Sequence, residues 1–137
     1  MQFDTMPHVI LSGAAKLREA FDQFSPFRAD TNGWIIKIKN IFISRDDSTL
    51  MVDCTAVRSG FSQDFYIRLE AKDNRVTVRV DPYMRIERNE GVQRTIAALA
   101  AWVQTFSGGM TFEKSNIVSE ILADGGLQGV TAAGAGQ

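Results

Sequence analysis

The sequence predicts an α+β fold, a two-layer sandwich in which a four-stranded antiparallel meander carries an N-terminal helix and two C-terminal helices on one face. Three observations predict it. Two turn dipeptides, Ser59-Gly60 and Asp73-Asn74, impose registers that agree on one apolar face of the strand between them. Apolar stripes at helical spacing lie before and after that stretch. The 137 residues, 45% hydrophobic and 23% charged, suit one globular domain. That domain is expected over residues 1–124, with a disordered Gly/Ala tail over 125–137.

In chain order, residues 6–15 hold an apolar run around Val9, Ile10 and Leu11, too short to span a bilayer and without a basic flank. No membrane or targeting segment is therefore expected. A first helix is predicted over residues 12–24, with Ser12 as N-cap and Ala14, Leu17, Phe21 and Phe24 on one face. Ser25-Pro26 ends it, because the residue before proline is pushed out of the helical region. Asp30-Thr31-Asn32-Gly33 reads as a turn.

Residues 34–80 form the meander. A two-residue loop at Ser59-Gly60 sets Leu50, Val52, Cys54 and Ala56 against Leu69, Ile67, Phe65 and Gln63. A second at Asp73-Asn74 sets Ile67, Leu69 and Ala71 against Val80, Val78 and Val76. A one-residue slip in either would scatter the shared apolar face. The first strand has two parities. A three-residue loop over 46–48 sends Ile36, Ile38, Asn40 and Phe42 inward; a loop of two or four residues sends Ile41 and Ile43 inward, with Lys37 and Lys39 beside them. The first is preferred because it keeps two lysines off the core face. This strand is expected at the sheet edge, where its lysines would discourage pairing with other chains.

Asp81-Pro82 interrupts the pattern, and residues 83–88 read as a bent extension of the last strand. Asn89 caps a helix over 90–106, whose buried stripe is Val92, Ile96, Leu99, Val103 and Phe106, with Trp102 on its flank. Ser107-Gly108-Gly109 ends it. A last helix is predicted over 112–123, with Val118, Ile121 and Leu122 apolar and Gly125-Gly126 closing it. The helix-then-meander order resembles cystatin-like layouts as a pattern of elements, which implies no activity.

Function classes are narrowed mainly by exclusion. A net charge of -1, from 15 basic and 16 acidic residues, removes the bulk-charge argument for nucleic acid. One Cys excludes an intrachain disulfide, and one His excludes multi-His metal motifs. Cys54 is predicted to face the core, where a thiol is inert, and His8 has no partner visible in the sequence. No catalytic residue, metal ligand or cofactor is assigned. On the outer sheet face, Arg68 sits opposite Arg79, Tyr66 lies between Asp53 and Asp81, Glu70 opposes Thr77, and Lys72 opposes Arg75. Two arginines face to face need a counter-charge, either Glu70 or an anionic partner. Arg68, Arg79, Arg75 and Lys39, with Tyr66 as a stacking platform, are thus the candidate anion- or nucleic-acid-binding residues. Trp34, Ile41, Ile43 and Met51 are apolar residues that a single-sided core would leave partly outside, and they are the candidate protein interface.

The expectation is a cytoplasmic, non-enzymatic protein-binding module of adaptor, chaperone, inhibitor or immunity type, or a phage-encoded assembly component. Its partner is another protein or, by homodimerisation, a second copy. The alternative is a nucleic-acid or anion binder using the basic sheet face. The third is a small enzyme with a carboxylate and tyrosine pocket lined by Asp53, Tyr66 and Asp81.

Overall fold

The two loop dipeptides act as the parity argument requires. Asp73 and Asn74 both adopt positive φ, as does Gly60, so each loop reverses the chain in two residues. The resulting registers set Cys54 against Phe65, Val52 against Ile67 and Leu69 against Val78, and all six side chains are buried. In the computed structural model, which describes residues 6–106 and 109–130, this pairing is the centre of a larger sheet.

The element order is β1 (His8–Ser12), α1 (Leu17–Gln23), β2 (Phe27–Thr31), β3 (Trp34–Ile43), β4 (Thr49–Arg58), β5 (Phe61–Lys72), β6 (Arg75–Val80), α2 (Glu90–Phe106), β7 (Thr111–Ser115) and α3 (Ser119–Asp124). The fold is α+β, with one antiparallel sheet of seven strands among the described residues, in the order β2-β3-β4-β5-β6-β1-β7. The meander predicted as four strands is β3 to β6, and three short strands extend it. On the near side, Asn32-Gly33 closes a β2–β3 hairpin, with both residues at positive φ. The predicted turn is therefore present, but the strand leading into it moves the sheet edge from β3 to β2. On the far side, β1 pairs with β6 and β7.

Two helix expectations and one strand expectation change. Ser12 is a strand residue whose hydroxyl donates to Glu113, so it caps nothing, and α1 begins at Leu17. The helix predicted over 112–123 is β7 followed by the short α3, with Gly125 at its C-cap. Residues 83–88 form no strand; the Gln63 amide instead brackets the Glu87 backbone, donating to its carbonyl at 3.0 Å and accepting from its N–H at 2.9 Å. The α2 prediction holds from Asn89, whose carboxamide oxygen accepts from the Val92 N–H at 3.2 Å, to Phe106. Ser107 and Gly108 of the predicted stop lie outside the described residues.

The β3 parity conflict is resolved by a β-bulge. Ile38 pairs with Cys54 and Asn40 with Asp53, so Lys39 is an extra residue on β3. Before it Ile36 and Ile38 face the core; after it Ile41 is buried and Ile43 half-buried. Asn40 and Phe42, expected inward, are exposed, because the four residues of the 45–48 loop set the second parity. Ile36, Ile38 and Ile41 are thus all buried on one strand, and Lys37 and Lys39 stay outside.

The core lies between the inner sheet face and the helices. α2 crosses β1, β3, β4 and β6, α1 lies on β3 and β4, and α3 packs on α2. Each fully buried Phe65, Ile67 or Leu69 side chain contributes about 1.5–3 kcal/mol relative to exposure. Residues 125–130 of the expected tail include a buried Leu127 and Gln128, whose backbone is bracketed by the Gln104 amide at 2.9 and 3.0 Å. Residues 131–137 lie outside the described part.

Candidate functional site

The outer face of β4, β5 and β6 carries alternate residues by strand period, so the registers bring Arg68, Arg79, Tyr66, Asp53 and Asp81 together as expected. Glu70 supplies the counter-charge. Its two carboxylate oxygens take Arg68 and Arg79, each at 3.1 Å, and Arg68 also reaches Asp81 at 3.3 Å. Arg75 is held by Glu113 at 3.0 Å. Lys39, projected by the bulge, bridges Asp53 and Asp64 at 3.4 and 3.3 Å. Hydrogen bonds from Thr55 and then Lys39 hold the Asp64 carboxyl below its ordinary range. The basic candidates are thus each matched to carboxylates of the same face. Tyr66 is half-buried between the Asp53 and Asp81 positions, and those two carboxylates are engaged by Lys39 and Arg68. A shallow hollow of about 670 Å³ on this face, lined by Glu70, Lys72, Asp73 and Arg75 among others, mixes charges of both signs.

The candidate protein-interface residues separate. Trp34 and Ile41 are core residues, 5% and 7% exposed, because Trp34 shares the inward parity of Ile36 and Ile38 and the bulge turns Ile41 inward. Ile43 and Met51 are half-buried. Burial pushes the Cys54 thiol well above its ordinary pKa, in keeping with an inert core cysteine. The His8 ring lies 3.1 Å from the Met6 carbonyl. Among the described residues no group of His, Cys, Asp and Glu is arranged to hold a metal ion, and no helix is long and apolar enough to cross a membrane.

What sequence reasoning missed lies at β2. Pro26 and the charges of Arg28 and Asp30 conceal a strand that the Asn32-Gly33 hairpin signal could have revealed. β2 is a sheet edge with an unbroken register against β3. Beside it runs a groove of about 320 Å³ lined by Phe27, Ala29, Ala98, Ala101 and Trp102, with Gly125 and Gly126 at its far wall. Trp102 anchors its aromatic end, edge-on to Phe24 at 6.0 Å and Phe106 at 5.0 Å and stacked on Phe27 at 6.4 Å. A second, more open hollow of about 370 Å³, lined by Pro26, Phe27, Arg28, Lys37, Ile38 and Lys39, also lies at β2.

Arg94, which looks isolated in the sequence, ties this corner together. Its guanidinium is 6% exposed and donates to Glu90 at 2.7 Å, Thr31 at 2.7 Å and Asp124 at 3.1 Å, so it joins β2, α2 and α3. Burial opposes its charge, but the hydrogen bonds to Glu90 and Asp124 outweigh it and raise its pKa. Hydrogen bonds from Arg94 and then Asn32 lower that of Glu90. No protein-family model, curated protein or solved structure gives a significant match to this chain.

Proposed function

We propose that this chain is a non-enzymatic module that works by binding protein, and that it does so at the β2 edge. The observation that carries the proposal is the pairing of an unbulged edge strand with an adjoining apolar groove. An open edge offers backbone donors and acceptors to an incoming strand, and a neighbouring groove takes its side chains, which is the geometry of β-augmentation. The contact surface thus lies one strand earlier than Trp34 and Ile41 suggested. Carboxylates neutralise the basic candidates Arg68, Arg79, Arg75 and Lys39 in place, which favours a protein partner over a polyanion. A reducing, cytoplasmic setting accords with a lone buried thiol.

A native mass spectrum of the chain purified from its host at gentle salt tests this. The expected result is a heavier species containing a second polypeptide, either another protein or another copy. A mass equal to the bare chain, or to the chain plus a small molecule, would refute the proposal.

A further inference from the structure

We infer that the occupant of the β2 edge is a second copy of this chain, paired antiparallel through β2 about a two-fold axis at Ala29. The inference rests on the protein-binding reading and names its partner. Thr31 and Trp34 close the Asn32-Gly33 hairpin, so they form a hydrogen-bonded pair, as do Ala29 with Ile36 and Phe27 with Ile38. Alternation then points the N–H and C=O groups of Arg28 and Asp30 away from β3, toward the open edge.

A two-fold axis at Ala29 sets Arg28 opposite Asp30 of the second copy, and Asp30 opposite Arg28 of the second copy. Those are the positions whose backbone groups have no partner among the described residues, so each pair exchanges both of its N–H···O=C bonds. The side chains agree with the backbone. Arg28 and Asp30 share the outer face, 59% and 62% exposed and 2.9 Å apart within one copy, and the axis alternates their charges across both strands. Axes at Arg28 or at Asp30 would satisfy the same backbone alternation but place like charges face to face. The charge pattern of Phe27-Arg28-Ala29-Asp30-Thr31 is therefore self-complementary about one axis only. Ala29 meets its own copy at a non-hydrogen-bonded pair, where side chains approach most closely, and a methyl group fits there. On the inner side the two grooves holding Phe27 and Trp102 adjoin across the axis. At the opposite edge, the register of β7 is broken by a bulge against β1, which blunts that edge.

Sedimentation velocity of the full chain over a concentration series at gentle salt tests the inference, with the circular-dichroism melt of each variant as a folding control. The wild type should show a reversible monomer–dimer equilibrium. Asp30→Pro removes an outward N–H and no β3 bond, and should leave a folded monomer. Asp30→Arg puts like charges at both symmetric pairs and should raise the dimer dissociation constant about tenfold. The exchange of Arg28→Asp together with Asp30→Arg restores complementarity and should bring the constant back. A wild type that stays monomeric overturns the inference, as does a dimer indifferent to Asp30→Pro or a double exchange as weak as the single reversal. If a monomeric wild type still carries a different polypeptide in the native mass spectrum, self-pairing falls and the protein-binding reading stands; if both measurements show only the bare chain, both fall.

Discussion

Substituting Gly91→Ala sets two effects of opposite sign against each other. Gly91 lies in the first turn of α2 with a helical backbone, so propensity alone predicts a gain of about 0.5–1 kcal/mol. The tertiary contact predicts a loss. A Cβ built at Gly91 would lie 2.5 and 2.6 Å from two ring carbons of Trp34 and 3.0 Å from the Ala56 methyl. Comfortable carbon–carbon separation is about 3.5–4.0 Å, so the helix or the ring must give by about 1 Å. The ring has little freedom, since Trp34 is 5% exposed, Phe61 lies edge-on at 6.0 Å and the Arg58 guanidinium sits 5.5 Å over it. Overpacking of this kind costs about 1–3 kcal/mol. The contact should win, for a net loss of about 1–2 kcal/mol. Urea unfolding followed by tryptophan fluorescence should give a lower midpoint at unchanged slope. Repeating Gly91→Ala in a Trp34→Leu background should remove the penalty and leave the propensity gain, a coupling that a double-mutant cycle reads directly. An unchanged or higher midpoint in the wild-type background would refute the close approach of α2 to β3 and, with it, the seating of the groove beside β2.

Arg94→Met should destabilise by about 2 kcal/mol, less than the full cost of breaking a buried pair, because Glu90 and Asp124 are 34% and 54% exposed and can rehydrate; denaturant titration measures it, and a loss under about 0.5 kcal/mol would refute the bridging role. Hydrogen bonds from Ser12 and then Arg75 lower the Glu113 pKa, as those from Arg94 and Asn32 lower that of Glu90. Groups depressed in the folded state contribute stability above their unfolded pKa and lose it as pH falls through the folded one. Midpoints should therefore be flat near neutrality and fall below the ordinary carboxylate range, and Ser12→Ala should raise the Glu113 pKa seen by carboxyl NMR. Arg79→Glu should leave binding to heparin or single-stranded DNA unchanged, because Glu70 already neutralises this arginine; salt-dependent binding that the substitution abolishes would revive the anion-binding alternative.

Legibility in the sequence followed how local each determinant is. The β4–β5–β6 registers were readable because a two-residue loop and the alternation of residues 50–80 both constrain parity, and each can be checked against the other. The face that carries Arg68, Tyr66 and Arg79 followed from the same parity. The bulge was half visible. Ile36 and Ile38 demand one parity and Ile41 and Ile43 the other, a contradiction that one extra residue at Lys39 removes. The apolar run of β1 and the short β7 carry no alternation that separates strand from helix, and their partners are distant in sequence, so nothing local selects strand.

The sequence by itself determined the β4–β5–β6 registers with their inner and outer faces, and α2 with its Asn89 cap. Each depends on residues a few positions apart, whose geometry is set by turn sterics and side-chain period. Only the tertiary structure decided that Glu70 answers the opposed arginines, that Trp34 and Ile41 are core, that Arg94 joins three elements, and that β2 is the open edge. Those outcomes depend on which distant segments come to lie side by side. That selection is made by the burial of apolar surface shared across the sheet, which no single segment encodes.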